Sequence, residues 1–145
     1  MTAPVFVDTN VLICAVDTAD RRKHEAARAW RTELWKSSRG RISFQVLQEF
    51  FAKVTQKWPA ARDDARAEVR DLLKWKPVIV DDLVIERGWK IQDRYKISSW
   101  DALIVAAAKQ SSCAYLLTED LHAVQEIEGI TVINPFLVAV DELPT

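Results

Sequence analysis

Short β-branched apolar runs alternate along the chain with longer stretches in which apolar residues have helical spacing. Buried strands are predicted at five such runs, residues 4–8, 41–44, 77–81, 114–118 and 130–133. Between them, apolar residues recur every three or four positions. That spacing predicts helices over about 11–16, 20–38, 45–58, 60–75 and 82–95, and a sixth helix that begins near residue 99. Residues 118–129 are predicted to form a loop with a short helix.

This alternation of strands and helices predicts an α/β fold, a three-layer sandwich around a mainly parallel central sheet of four or five strands. The connections are long enough for right-handed crossovers. A length of 145 residues suits a single domain covering residues 1–145. In such sheets ligands bind at the carboxyl ends of the strands, so residues that follow strands are the first candidates for a site.

Two of the predicted helices start beside short polar side chains that accept hydrogen bonds from backbone N–H groups. Thr9 or Asn10 would cap the first helix, and Ser98 or Ser99 would cap the sixth.

The composition is that of an ordinary globular protein, with a net charge of −1 at pH 7. Cys14 and Cys113 lie far apart in apolar surroundings, which indicates buried, reduced thiols rather than a disulfide or a zinc site. We therefore expect a reducing, cytoplasmic location. The chain has neither a signal-peptide pattern at its start nor an apolar stretch that could span a membrane, so no membrane partner is expected.

Charge is distributed unevenly along the chain. Basic residues outnumber acidic ones over residues 20–76, and acidic residues dominate elsewhere. Basic helices would suit a phosphate backbone, although solvated helix faces of mixed charge explain the same composition. Several tryptophans in this region have helical spacing, which favours core packing or a subunit interface over base stacking: Trp30, Trp35, Trp58 and Trp75.

Four acidic residues lie at the ends of predicted strands or beside the apolar faces of predicted helices. Asp8 ends the first strand, and Asp101 lies in the first turn of the sixth helix. Glu49 lies just outside the apolar stripe of the third helix, and Asp120 follows the fourth strand with Glu119 beside it. Taken singly, each has an ordinary explanation as a helix cap, a solvated carboxylate or a loop residue.

The four acids are harder to explain together. If they converge at one sheet edge, two like charges about 4 Å apart cost on the order of 4 kcal/mol at an effective dielectric constant near 20. A fold retains such a cluster when the pKa values rise or a cation binds. Ligands that are all oxygen favour Mg²⁺ or Mn²⁺ over zinc or copper.

Four segments resemble, in order and spacing, the signature blocks of PIN-domain ribonucleases: VFVDTNVLICAVD, FQVLQEFF, SSWDALIVAAAK and YLLTEDL. The resemblance spans nearly the whole chain, and the short length is similar to that of VapC-type toxins of bacterial toxin–antitoxin pairs. It implies a metal-dependent endoribonuclease that hydrolyses RNA phosphodiester bonds with a metal-activated water. It further implies an RNA substrate, a cognate antitoxin and a homodimer.

The same resemblance implies that Asp8, Glu49, Asp101 and Asp120 are the catalytic carboxylates and the ligands of Mg²⁺ or Mn²⁺. Asp8 and Asp101 would be the direct ligands. Relatives often carry a glycine a few residues after the last block, where this chain has residues 122–124. The last acid of the site is therefore either Glu119 or Asp120, and we favour Asp120.

Three polar residues match the motif's supporting positions. Thr9 and Asn10 follow the first acid, and the resemblance implies that Asn10 orients Asp8. Thr118 matches the hydroxyl residue that precedes the last acid. His122 lies close to that acid in sequence, but we expect no catalytic role for it.

Two alternative functions remain open. A receiver-type signalling domain also binds Mg²⁺ in a small α/β fold. However, it would need paired acids after the first strand, where only Asp8 stands, and a lysine after the fifth strand, which is missing. A catalytically silent PIN-like interaction module is the second alternative, although all four acids are present.

Overall fold

The computed structural model describes residues 3–121 and 125–143, which contain five strands and six α-helices. The strands are β1 (Val5–Val7), β2 (Gly40–Arg41), β3 (Tyr115–Leu117), β4 (Glu126–Ile127) and β5 (Ile130–Ile133). The helices are α1 (Thr9–Cys14), α2 (Arg21–Ser37), α3 (Phe44–Lys57), α4 (Arg62–Leu72), α5 (Asp82–Tyr95) and α6 (Ser99–Gln110). None of these helices is both long and apolar enough to cross a membrane.

The strands form one sheet in the order β2-β1-β3-β5-β4, parallel except for the antiparallel edge strand β4. Val5, Phe6 and Val7 are all buried, although successive strand side chains point to opposite faces. Both faces of the sheet are therefore covered, as in other parallel sheets. The predicted α/β sandwich with a mainly parallel sheet is confirmed.

The strand predicted at residues 77–81 is wrong. Only Val78 pairs with a neighbour, through a single parallel bridge to Ser43. β2 has just two residues and α3 begins at Phe44, so the segment finds no longer strand to pair with. The segment ends at Asp81, whose side chain caps α5 instead.

The loop and short helix predicted over residues 118–129 are wrong in the described second half, which forms a β-hairpin. β4 and β5 are joined through Glu128 and Gly129, whose φ angles are 53° and 81°. Two successive positive φ angles are typical of the tight two-residue hairpin turn. Gly129 adopts its angle without steric cost, so it was the signal for this turn.

Two other predicted elements are present with different bounds. The second strand, predicted over residues 41–44, is confined to β2 because Ser43 caps α3 through a hydrogen bond from the Val46 N–H. The helix predicted over residues 60–75 is α4, flanked by two 3-10 helices, Pro59–Ala61 and Leu73–Trp75.

Burial in the core confirms that two of the tryptophans mainly serve packing. Trp30 and Trp75 are almost completely buried. The Trp30 indole N–H donates to the Val138 carbonyl oxygen at 3.1 Å, which satisfies its one polar atom. Cys14 and Cys113 are both free thiols, the first half-buried and the second buried.

Gly40 permits a close approach between β2 and the Trp75 indole. A Cβ at residue 40 would lie 2.6 Å from ring atoms of Trp75, well inside the usual carbon–carbon contact of about 3.5 Å. The Arg31 guanidinium lies over the same ring, 5.1 Å from its centroid. Relief of the clash would therefore require a buried indole and its stacked cation to move.

We predict that Gly40→Ala lowers the free energy of unfolding by about 1–3 kcal/mol, because overpacking forces packed side chains to shift. Urea unfolding of both proteins would measure the change. In a Trp75→Leu background the same substitution should cost much less, since the clashing ring is gone. An equal cost in the two backgrounds would contradict a steric origin.

Candidate functional site

Asp8 is the most buried of the candidate acids, with only 8% of its surface exposed. One carboxylate oxygen accepts the Thr9 N–H at 2.7 Å, so Asp8 itself caps α1. The predicted cap at Thr9 or Asn10 is therefore wrong. The other oxygen accepts the Thr118 hydroxyl at 2.8 Å. Two fixed donors thus hold this carboxylate at the carboxyl end of β1.

Thr118 lies beside Asp8 because β1 and β3 pair in parallel, with Val7 opposite Leu117. The residue after each strand therefore emerges at the same sheet edge. Thr118 is buried, and its hydroxyl oxygen also accepts the Asp120 N–H at 3.1 Å. Its hydroxyl group therefore links the Asp8 carboxylate to the backbone N–H of Asp120.

Asn10 has a different partner from the predicted one. The expectation that it orients Asp8 is wrong, because its side-chain amide donates to Asp120 at 3.4 Å. Glu119 forms an ion pair with Lys23 at 2.8 Å. The two neighbouring acids are thus used differently, since Glu119 binds a lysine of α2 and Asp120 faces Asn10.

Glu49 is half-buried on α3, which agrees with its predicted position at the edge of the apolar stripe. One carboxylate oxygen accepts the Thr9 hydroxyl at 3.3 Å, and the other accepts the Gln45 amide at 3.2 Å. Thr9 therefore connects the start of α1 with α3.

Asp101 lies in the first turn of α6, half-buried. Its N–H donates to the Ser98 hydroxyl oxygen at 3.1 Å, so the predicted cap at Ser98 is confirmed. The cap sets where α6 begins and therefore where the Asp101 side chain stands.

All four predicted acids line a single cavity of about 390 Å³. Thr9 and Asn10 also line it, whereas Thr118 lies beneath it as a hydrogen-bond donor to Asp8. The remaining lining residues are Lys53, Trp100 and Ile104. Sequence analysis missed these three.

Two of the missed residues had a usable sequence signal. Lys53 follows Glu49 by four positions, so the two side chains share a face of α3. Trp100 directly precedes Asp101, and this adjacency was its signal in the sequence. In the structure its side chain is 61% exposed, which is unusual for so large an apolar residue. The predicted absence of a role for His122 concerns a residue outside the described part of the chain.

Residues 5–127 match the PIN domain. The chain belongs to the PIN domain family. No curated protein sequence matches it at a significant level.

Three solved structures resemble this PIN domain. A toxin–antitoxin complex from Klebsiella pneumoniae has 22% identity and a TM-score of 0.65, with 90% of this chain and 97% of that chain covered. The sarcin–ricin-loop-cleaving toxin VapC20 of Mycobacterium tuberculosis has 21% identity and a TM-score of 0.58, covering 77% and 86%. VapBC2 of Rickettsia felis, bound to a promoter DNA fragment, has 15% identity and a TM-score of 0.62, covering 88% and 96%. At these identities the likeness establishes the fold.

Burial and mutual repulsion raise the pKa values of two acids in the PIN-domain site. The pKa of Asp8 is raised from 3.8 to about 6. Burial is the largest cause, the hydrogen bonds from Thr118 and Thr9 lower the pKa, and the charges of Asp120 and Asp101 add to the increase. The pKa of Asp101 is also raised, mainly by burial and in part by the charge of Asp120, while a hydrogen bond with Ser98 opposes the shift. The site therefore resists full ionisation without a compensating cation.

The donor set fits a hard divalent cation. The cavity supplies carboxylate, amide and hydroxyl oxygens, and no thiol or imidazole among its lining residues. In residues 3–121 and 125–143, no three acidic, histidine or cysteine side chains are already gathered as ligands of one ion. Mg²⁺ commonly takes only one or two carboxylates and retains several waters, so an open arrangement of this kind suits it.

We predict that Asp8→Asn stabilises the metal-free protein at neutral pH. A carboxyl group whose pKa is higher in the folded state binds protons more tightly there. Ionisation of Asp8 therefore lowers the free energy of unfolding as the pH rises from about 4 to 6. The shift corresponds to about 3 kcal/mol at pH 7. Asparagine removes this charge, and its amide can still bond Thr9 and Thr118.

Urea unfolding in EDTA at several pH values would measure the effect. The difference in stability between variant and wild type should grow from pH 4 to pH 7. A pH-independent difference would show that ionisation of Asp8 does not burden the fold.

Proposed function

We propose that this PIN domain is a Mg²⁺- or Mn²⁺-dependent endoribonuclease that acts as the toxin of a toxin–antitoxin pair. The observation that carries the proposal is the convergence of Asp8, Glu49, Asp101 and Asp120 on one cavity. Two structural neighbours add support, since one is a toxin–antitoxin complex and another is a toxin that cleaves the sarcin–ricin loop.

In this proposal Asp8 and Asp101 bind the cation directly, because they are the two acids whose pKa values are raised. Glu49 and Asp120 hold waters of the ion or bind a second one. A bound Mg²⁺ or Mn²⁺ would polarise a phosphodiester oxygen and lower the pKa of a water that attacks phosphorus.

The chain's own contribution is to hold the carboxylates in place before substrate arrives. The Thr9 N–H and the Thr118 hydroxyl fix both oxygens of Asp8. The Thr9 hydroxyl binds Glu49, and the Asn10 amide binds Asp120. Ligands that are arranged in advance need not reorganise during the reaction. This preorganisation is the source of most electrostatic stabilisation in catalysis.

Lys53 and Trp100 are the proposed substrate contacts in the cavity. Among the described residues, Lys53 forms no ion pair and is the one cation that lines this cavity. A phosphate drawn towards four carboxylates needs such a positive charge beside it. Trp100 exposes an indole face at the rim, where an RNA base would stack on it.

The proposal includes a cognate antitoxin, a homodimer and a cytoplasmic location. The structural neighbour that is a toxin–antitoxin complex supports the antitoxin. The alternative of a silent PIN-like module predicts metal or partner binding without RNA cleavage. The receiver-type alternative would also need an acid that ends the third predicted strand, where Asp81 stands. It loses support because Asp81 caps α5 and does not line the cavity.

We predict that purified, partner-free protein cleaves structured RNA with Mg²⁺ or Mn²⁺ and not with EDTA. Asp101→Asn should reduce cleavage at least about a hundredfold, since it removes a proposed metal ligand. Asp82→Asn is the matched control, because Asp82 is an exposed aspartate in the first turn of α5. It should cleave like the wild type.

Gel analysis of product length and end chemistry would follow this reaction. Wild-type protein that binds Mn²⁺ and a range of RNAs without cleaving any would contradict the nuclease and favour the silent module. Equal loss in the Asp101 and Asp82 variants would contradict the assigned site.

We further predict that Lys53→Gln raises KM for RNA about tenfold with little change in kcat, because it removes a charge that binds substrate and transition state alike. Steady-state kinetics would separate the two constants. Lys90→Gln, an exposed lysine on α5, is the control. A fall in kcat at unchanged KM would instead give Lys53 a part in the chemical step.

A further inference from the structure

A second polar cavity of about 440 Å³ lies at the far end of α2 from the carboxylates. Its lining residues come from the end of α2, from β2 and from the 3-10 helix before residue 76: Trp35, Ser38, Arg41, Lys74, Trp75 and Lys76. The first turn of α2 holds Lys23, which pairs with Glu119 next to Asp120. Because α2 has 17 residues, its two ends lie about 25 Å apart.

The lining of this cavity is cationic and contains no acid. Arg41, Lys74 and Lys76 supply three positive charges. None of them takes part in an ion pair with any residue of the described chain. By contrast, the nearby Arg31 is neutralised by Glu68 at 2.6 Å. Three unneutralised charges repel one another, so the fold carries a cost that a bound anion would remove.

Aromatic rings hold part of this charge in place. Lys74 lies over the Trp35 ring, with its ammonium nitrogen 5.7 Å from the centroid. The Arg31 guanidinium stacks over the same ring at 4.9 Å. A cation held by an indole keeps its full charge towards an incoming anion, whereas a carboxylate partner would cancel it.

Of the three cationic residues, only Arg41 is explained by hydrogen bonds to backbone carbonyl groups near the end of α2. Its guanidinium Nη1 donates to the carbonyl oxygens of Ser38 and Gly40 at 3.0 and 2.8 Å. The contact with Ser38 satisfies a free carbonyl at the end of α2, and the contact with Gly40 satisfies a carbonyl of β2. The side-chain ammonium groups of Lys74 and Lys76 donate no hydrogen bond to any residue between 3 and 121 or between 125 and 143. The one described contact of these two charges is that of Lys74 with the Trp35 ring.

The backbone also presents Lys76 in an uncommon way. Its φ angle of 54° lies in the left-handed region, at the end of the 3-10 helix Leu73–Trp75. Arg41 and Lys76 line an adjoining cavity as well, where one acidic residue, Asp81, also belongs to the lining. Of these two cavities, the one that contains Lys74 is therefore the one without an acidic lining residue.

We propose that this surface, formed by Arg41, Lys74 and Lys76, binds phosphates of RNA away from the cleaved bond. The proposal rests on the proposed function, in that RNA is the substrate. Cationic side chains without base-edge contacts bind the phosphate backbone without reading its sequence. The surface would increase the affinity for RNA long enough to reach from the carboxylates to the other end of α2, and would leave shorter RNA unaffected.

The direct test is binding of a labelled single-stranded RNA, long enough to span α2, to the full chain in EDTA, where no cleavage occurs. The double variant Lys74→Gln/Lys76→Gln should weaken binding about tenfold near 0.1 M salt and lower the slope of log K against log salt by about 1.4. Lys74→Arg/Lys76→Arg should retain binding. Lys90→Gln/Lys96→Gln is the matched control, because Lys96 also has a positive φ, 57°, at a helix end.

A kinetic arm separates this proposal from the nuclease assignment. With Mg²⁺, Lys74→Gln/Lys76→Gln should raise KM for the long RNA, leave its kcat unchanged, and leave cleavage of an RNA too short to span α2 unchanged. If the chain cleaves no RNA, the binding arm still decides the question. Equal weakening in both lysine pairs, or RNA binding unaffected by Lys74→Gln/Lys76→Gln, would overturn the proposal and favour an acidic protein partner or a solvated surface.

Discussion

The buried carboxylate of Asp8 joins three elements of the fold at one point. It caps α1 through the Thr9 N–H and accepts the Thr118 hydroxyl from the end of β3. A charged group in this position is costly, as its raised pKa indicates. The two hydrogen bonds offset part of this cost, and neighbouring acids add to it. Ionisation of Asp8 therefore opposes folding, and a bound cation would offset this cost.

The rest of the site depends on how parallel strands bring distant segments together. β1 pairs with β3, so residues 110 positions apart in sequence meet at one sheet edge. α3 and α6 then place Glu49 and Asp101 over the same edge. Their caps, Ser43 and Ser98, determine where each helix starts and therefore which residues of its face reach the cavity. Short polar caps thus position the longer acidic side chains.

The molecule separates its charge along α2. At the start of that helix Lys23 neutralises Glu119, the neighbour of Asp120 in sequence. Near its end Lys74 and Lys76 have no described acidic partner. A phosphate backbone would be attracted by the basic end and, without a bound cation, repelled by the acidic one. A divalent cation would therefore make the acidic cavity accessible to phosphate, while the basic surface would not depend on it.

The sequence by itself determined most helices and the alternation that predicts a parallel sheet, because both follow from local spacing of apolar and polar residues. The four acids were assigned to one site by the resemblance of their segments to PIN-domain ribonucleases. The limits show in two nearly identical segments. PVFVD at residues 4–8 forms β1 and PVIVD at residues 77–81 forms no strand. Strand formation requires a partner edge, and the first segment has neighbours on both sides whereas the second meets only Ser43.

Only the tertiary structure decided which side chains hold the acids. Asn10 lies two positions after Asp8 in the sequence but binds Asp120, and Thr118 takes the role expected of Asn10. Lys53 and Trp100 entered the site for the same reason. Contacts between residues far apart in sequence depend on the docking of whole elements, and that docking is a property of the packed core rather than of any local pattern.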